Sequence, residues 1–300
     1  MVDFIHNNKD RYGVEAICRI LPIAASTYYR TLDLADNPEH RAKRDLHDEH
    51  HAEQIQRIWK ESSGRYGVRK VWQQLKREGY VIARCTVARL MQKLGIQGVW
   101  RGKNKQTTRS RDDQKRADDL VKRNFSADRP DQLWVSDFTY IQTHSGWVYT
   151  AFIIDVFSRA IVGWKVSTRM NTDMVLDALE QALHDRGMPK NVIHHSDRGV
   201  QYLSIRYTNR LEAANLRASV GTTGDSYDNA LAETVNGLYK TEVIEYLKAD
   251  WQGLADVQLA TLNWVDWFNK KRVHSALGYV SPFEFEAMYY DKINPLGQVA

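Results

Sequence analysis

The sequence predicts an α/β fold: a mixed five-stranded sheet with flanking helices, preceded by an all-helical, basic region with helix-turn-helix patterning. Three observations carry that reading. Apolar residues recur at i, i+3, i+4 and i+7 in the first hundred positions, the period of a helix face. After Pro130 the pattern changes to three strand-like runs and then to alternating helices and strands. Charge divides at the same place: residues 1–127 hold 26 Lys+Arg against 16 Asp+Glu, whereas residues 128–300 hold 16 against 21.

Five segments are expected in order. Residues 1–38 form a helix-turn-helix-like segment, in which Val14, Ile17, Cys18 and Leu21 share one helical face and Pro22 ends the helix. Residues 39–104 form a second helix-turn-helix unit. Val68, Val71, Trp72 and Leu75 repeat the spacing, and both stretches directly follow Arg-Tyr-Gly, at 11–13 and 65–67. The Gly79-Tyr80 turn leads into a helix at about 83–94, with Val87, Leu90, Met91 and Leu94 inward and Arg84, Arg89 and Lys93 outward. That basic face suits DNA; two helical hairpins that merely pack together are the alternative. Residues 105–127 continue a polar, charged stretch that starts with Arg101 and Lys103, and read as a basic linker able to lie along a phosphate backbone.

The α/β domain is expected over 128–288, with a tail at 289–300. Its strands fall at 132–142, 147–156, 160–167, 192–196 and 216–220. Its helices fall at 171–186, 204–215, 229–247 and 252–271, with a Gly/Asp/Asn-rich loop at 221–229. Asp137 then lies on the first, central strand, Asp197 at the end of the fourth strand beside it, and Glu233 on a helix packed across them. Active sites of open α/β sheets gather at strand ends.

Composition narrows the class. A hydrophobic share of 43% is ample for a core. No run of about 18 apolar residues occurs, so no membrane partner is expected. The first ten residues lack the apolar stretch of a signal peptide. Cys18 and Cys85 show no paired spacing, which points to reduced thiols in a cytoplasmic protein and to no zinc site.

Asp137, Asp197 and Glu233 carry the chemistry. A buried carboxylate must be paired, protonated or bound to a metal. Two Mg²⁺ ions, with Mn²⁺ as a substitute, suit an all-oxygen donor set, and Asp137 on the rigid central strand is the natural bridge between them. No Gly-x-Ser-x-Gly nucleophile motif and no phosphate-binding Gly-x4-Gly-Lys-Ser/Thr occurs. Singly, each residue has a plainer role open to it: ion-pair partner, turn residue before Gly199, and helix-surface carboxylate. His194 and His195 suit satisfied core histidines, with His195 also placed to hydrogen-bond near the metals. Asn236 and Lys240 share the helical face of Glu233, where they either approach the site and its DNA or form a solvated stripe. Trp264 and Trp267 suit core packing.

Several segments resemble the DDE transposases of bacterial insertion sequences, whose catalytic core is similar to that of retroviral integrases. They are residues 131–141 (Asp-Gln-Leu-Trp-Val-Ser-Asp-Phe-Thr-Tyr-Ile), 155–159 (Asp-Val-Phe-Ser-Arg), 194–202 (His-His-Ser-Asp-Arg-Gly-Val-Gln-Tyr), 226–233 (Ser-Tyr-Asp-Asn-Ala-Leu-Ala-Glu) and 274–282 (His-Ser-Ala-Leu-Gly-Tyr-Val-Ser-Pro). The 35 residues between Asp197 and Glu233 match the family's Asp-35-Glu interval. The nearest resemblance is to the OrfB product of the group often called the IS-three family, and it runs over nearly the whole chain. It implies an RNase H-like catalytic domain, two divalent ions held by the three carboxylates, and cleavage at element ends followed by strand transfer. It also implies homo-oligomers on double-stranded DNA, association with the bacterial nucleoid when on DNA, and an upstream OrfA product, often fused by frameshift, that supplies a leucine zipper. No sustained heptads run in this sequence, so the chain is expected to be the downstream part. A DNA-binding regulator with a silent core, and a metal-dependent nuclease without strand transfer, are the other readings. A phage or retroelement integrase would need a zinc-binding His/Cys module that two lone cysteines cannot supply.

Overall fold

The computed structural model describes residues 1–100, 121, 125–197, 199–220, 230–247 and 250–293. The helical region opens with α1 (Val2–Tyr12), α2 (Val14–Ile20) and α3 (Ala25–Asp36), which share a small core of Ile5, Ile17 and Tyr28. A second trio follows: α4 (Lys43–Glu61), α5 (Val68–Arg77) and α6 (Arg84–Lys93), around Ile55, Ile58, Val71, Leu75, Val87, Leu90 and Met91. These are the inward faces that the i, i+3, i+4 spacing predicts. Gly79 and Gly95, at φ 88° and 66°, end α5 and α6 in the left-handed region that a side chain would oppose. Their turns close with Tyr80 N–H donating to the Leu75 carbonyl and Ile96 N–H to that of Met91.

The sheet has the order β3-β2-β1-β4-β5. Its strands are β1 (Leu133–Thr143), β2 (Gly146–Asp155), β3 (Ile161–Ser167), β4 (Ile193–Ser196) and β5 (Arg217–Val220). β1 runs antiparallel to β2 and parallel to β4, and β4 runs parallel to β5. β1 is therefore central, as the sequence predicts. Side chains alternate across it, so each face builds its own core. Leu133, Val135 and Ile141 face α9 (Ala230–Tyr239) and α10 (Leu254–Lys270), with Phe152, Tyr239 and Trp264. Trp134 and Ala151 face α7 (Thr172–Asp185) and α8 (Ile205–Ala213), with Leu179, Leu183 and Tyr207. Gly163 lets α7 lie close on β3, since a Cβ there would stand 2.2 Å from the Ala178 carbonyl oxygen.

Three features differ from the sequence reading. The helix expected at 229–247 is α-helical only to Tyr239 and continues as a π-helical segment, Lys240–Glu245, whose i→i+5 bonding shifts every later side chain around the axis. The last helix, α11 (Pro282–Ile293), runs through position 289, where the sequence reading starts a tail. Most of the basic stretch 105–127 lies outside the described residues, but Val121, Phe125 and Ala127 pack on the α9–α10 core. No helix among the described residues is long and apolar enough to cross a membrane.

The second helical trio docks against the α/β part. Trp267, Val273 and Tyr279 join its core. The Tyr66 hydroxyl donates to the Lys271 carbonyl (3.2 Å) and accepts from Val273 N–H (2.8 Å). Arg65 donates from Nε to the Glu242 carbonyl at 3.0 Å and lies 4.8 Å from the centre of the Trp267 ring. The second Arg-Tyr-Gly is thus a docking element.

Candidate active site

The parallel pairing of β1 and β4 ends at Ser136 opposite Ser196. One residue further on each strand stand Asp137 and Asp197, so register alone sets two half-buried carboxylates side by side where the parallel pairing ends. Asp137 Oδ1 accepts from the N–H of Phe138 at 2.8 Å, and its Oδ2 accepts from Asn236 Nδ2 at 2.9 Å. Asp197 Oδ1 accepts from Gly199 N–H at 3.0 Å. Glu233, exposed in the first turn of α9, lies close enough for the charge of Asp197 to act on it.

Burial raises the Asp137 carboxyl to about 8, and the neighbouring Asp197 and Glu233 charges push it the same way. Asp197 is raised by burial, partly offset by the Gly199 N–H and His195. Glu233 is raised by desolvation and by Asp197. None of the three forms an ion pair among the described residues, and Asn236 keeps a buried amide oxygen with no hydrogen-bond partner there.

Among the described residues no three His, Cys, Asp or Glu side chains are gathered closely enough to hold a metal ion. Asp137 and Asp197 are adjacent, while Glu233 stands further out and acts on them through charge. The donor set nonetheless fits a hard divalent cation. It is all oxygen, it is destabilised as an anion cluster, and among the described residues it has no ion-pair partner.

The other predicted residues fall into place unevenly. Asn236 reaches Asp137 directly. His195 accepts or donates at Ser219 Oγ (2.9 Å) and stacks edge-on with Phe125, so it braces β4 against β5. His194 meets the Tyr207 hydroxyl at 3.1 Å, and burial lowers it to about 3, which keeps it neutral. The Lys240 ammonium lies 4.6 Å from the centre of the Tyr140 ring. Arg84 and Lys93 are exposed on α6. Arg89 is instead tied to Asp48 by two 2.8 Å contacts from Nη2. Arg101 and Lys103 lie outside the described residues. Trp264 is buried and donates to Glu242 Oε2 at 3.1 Å.

Sequence reasoning passes over Glu242, Arg272 and the docking role of Arg65 and Tyr66. The signal for the last two is the repeated Arg-Tyr-Gly. Asp155, in a segment shared with the resembled family, proves to be a turn clamp. Its Oδ1 accepts from Ser158 N–H (2.8 Å) and Oγ (3.0 Å), and its Oδ2 from Asp131 N–H (2.8 Å).

Comparison with known proteins identifies the class. Integrase core domain models match residues 127–226 and 214–282, and an HTH-like domain model matches residues 46–104. The integrase catalytic core of HTLV-2, a structure in complex with magnesium, covers 54% of this chain and 99% of its own at 18% identity and a TM-score of 0.43. With integrase core domain matches over both segments, the chain is a polynucleotidyl transferase. It is 52% identical over 293 residues to the transposase for insertion sequence element IS629 of Shigella sonnei, covering 98% of both chains. It is 49% identical over 275 residues to a putative transposase for IS986/IS6110 of Mycobacterium tuberculosis, covering 90% of this chain and 97% of that one. It is 31% identical over 289 residues to transposase InsF for IS3A of Escherichia coli, covering 94% and 97%. The chain belongs to the IS3 family of insertion-sequence transposases, enzymes whose partner is DNA; a silent regulator or a plain nuclease is not favoured.

Proposed function

We propose that the enzyme cleaves DNA at the ends of its element and joins those ends to target DNA, with Asp137, Asp197 and Glu233 as the reacting centre. The observation that carries this is the adjacent Asp137–Asp197 pair where the parallel pairing of β1 and β4 ends, raised in pKa and, among the described residues, without an ion-pair partner. The three carboxylates would hold two Mg²⁺ ions. When bound, such ions supply Lewis-acid activation of the attacking oxygen and stabilisation of the leaving one in an in-line exchange of phosphodiesters. Asn236 orients Asp137, and the N–H groups of Phe138 and Gly199 fix the two aspartates, so the donor oxygens are set before substrate arrives. Lys240, on the segment that continues the Glu233 helix, neutralises a DNA phosphate near the cleaved bond. Arg84 and Lys93, with Arg101 and Lys103 beyond α6, contact duplex phosphates. Arg89 contributes less, being paired already. The domain limits follow the readings 39–104 and 128–288. The assembly on DNA is a homo-oligomer that includes the OrfA product, in a bacterial cytoplasm on the nucleoid.

Asp137→Asn, Asp197→Asn and Glu233→Gln should each lower cleavage of an element-end duplex by roughly 10³-fold or more, with DNA binding kept. Mg²⁺ and Mn²⁺ should support the reaction and EDTA should stop it. Near wild-type cleavage by any of the three variants removes that residue from the centre. In a separate binding assay, Arg84→Ala with Lys93→Ala should reduce the slope of log K against log salt by about 2. An unchanged slope places DNA elsewhere.

A further inference from the structure

β1 pairs with β4 only over Leu133–Ser136, yet β1 runs on to Thr143. Beyond Asp137 the β4 side of β1 therefore has no strand beside it among the described residues, while β3 continues along β2 to Tyr149, so only the hairpin tip past the Tyr140–Tyr149 pair projects from the sheet. A row of aromatic side chains lines one face of it. Tyr140 pairs with Tyr149, and Trp147 is their diagonal neighbour, opposite Gln142. Tyr140 and Trp147 pack edge to face at 5.3 Å between centroids and remain 46% and 49% exposed. Half of the Trp147 indole, held edge-on by Tyr140, thus stays open at the hairpin tip.

The tip is also rigid. Backbone N–H groups of His144 and Ser145 donate to the carbonyls of Trp251 (2.9 Å) and Gln252 (3.0 Å), Ser145 Oγ donates to the latter at 2.6 Å, and the His144 ring meets Asp250. A surface fixed in this way loses little entropy on binding. Charge completes it: the Lys240 ammonium rests on the Tyr140 ring, 4.6 Å from its centre. One cation and one open indole are thereby held on a common brace. Gln142, opposite Trp147, lies about 17 Å along β1 from Asp137 at a strand rise of ~3.4 Å per residue.

We infer that Trp147, braced by Tyr140, is a stacking site for an unpaired DNA base within a few nucleotides of the reacting bond, with Lys240 on the adjoining phosphate. This rests on Asp137, Asp197 and Glu233 being the reacting centre. Aromatic side chains bind unpaired bases of any sequence through their π faces, and a nearby cation selects nucleic acid over an apolar partner.

The test compares a blunt duplex with the same duplex carrying a short unpaired 3′ tail that contains 2-aminopurine, each bound by the full chain without divalent ions. The wild type should prefer the tailed DNA and quench the tail's fluorescence. Trp147→Ala should cut that preference by about 5- to 100-fold and abolish the quenching, while blunt-duplex affinity is kept. Trp147→Phe and Tyr140→Phe, which keep the rings, should retain both. Equal wild-type affinity for the two DNAs, or an unaltered preference in Trp147→Ala, overturns the inference. So does a Trp147→Ala variant that changes oligomeric state with quenching intact, which would make the aromatic face a contact between copies. Loss of blunt-duplex binding in the wild type would instead contradict the DNA-binding reading of the basic helices, and this inference with it.

Discussion

One continuous helical segment carries two acidic positions with opposite electrostatic fates. At its start, Glu233 faces Asp137 and Asp197, and this trio has no cation among the described residues. About two and a half turns on, in the π-helical stretch, Glu242 is buried, yet it is fully paired. Arg272 donates to it from Nε (3.1 Å) and Nη2 (2.6 Å), and Trp264 adds a third donor. Burial works to raise the Glu242 carboxyl, but the Arg272 charge and hydrogen bonds overcome it and hold the group below the usual carboxylate range. Asp137, pushed by its own desolvation and by the Asp197 and Glu233 charges, is driven up to about 8. A carboxylate supplied with its own cation is a structural stitch. A pair with no such partner among the described residues is destabilised as an anion pair, and a cation bound there would relieve it.

The stitch should be the more sensitive to neutral substitution. Glu242→Gln leaves Arg272 buried without its partner and should cost about 3–5 kcal/mol, a fall in Tm on the order of 10 °C. Replacing both, with Glu242→Leu and Arg272→Met, should recover most of it. A loss below about 1 kcal/mol in the single variant would mean that the pair is not what holds the π-helical segment to the chain after α10.

A smaller effect is expected at Lys70, in the same junction. Burial and then the Arg272 charge lower its pKa to about 7. The unfolded chain keeps that proton up to about 10.5, so below pH 7 the folded protein bears the full cost of a buried ammonium. Between pH 7 and 10.5 the unfolded state binds more protons, and stability rises with pH as this cost disappears. Lys70→Met should raise Tm by about 2–4 °C at pH 6 and flatten the rise over that window. A Tm that falls in Lys70→Met at pH 6 would show that the ammonium is stabilised where it sits.

Much of this contrast was legible in the sequence, and for local reasons. Asp137 stands in an apolar run that can only be a strand, Asp197 directly ends another, and parallel pairing of the two follows from the element order. Glu233 opens a helix after a Gly/Asp/Asn-rich loop. The junction was not legible. Glu242 looks like any helix carboxylate until the chain brings Arg272 to it, and a pairing across 30 residues leaves no periodic trace. The π-helical turn was equally hidden, because it adds one residue to a turn without changing composition. α4 escaped notice because its face of His51, Ile55 and Ile58 is narrow beside its many charges. Arg89 read as free DNA-binding charge because Asp48 lies 41 residues away.

The contrast is decided most plainly by thermal unfolding of the wild type and Asp137→Asn at pH 8.5, with and without Mg²⁺. If Asp137 and Asp197 repel each other for want of a cation, Asp137→Asn should melt higher than the wild type without Mg²⁺. Only the wild type should then gain stability as Mg²⁺ is added, since a ligand stabilises the state that binds it. An Asp137→Asn variant that melts lower without metal, and still rises with Mg²⁺ as the wild type does, would make Asp137 a structural carboxylate and contradict its assignment to the reacting centre.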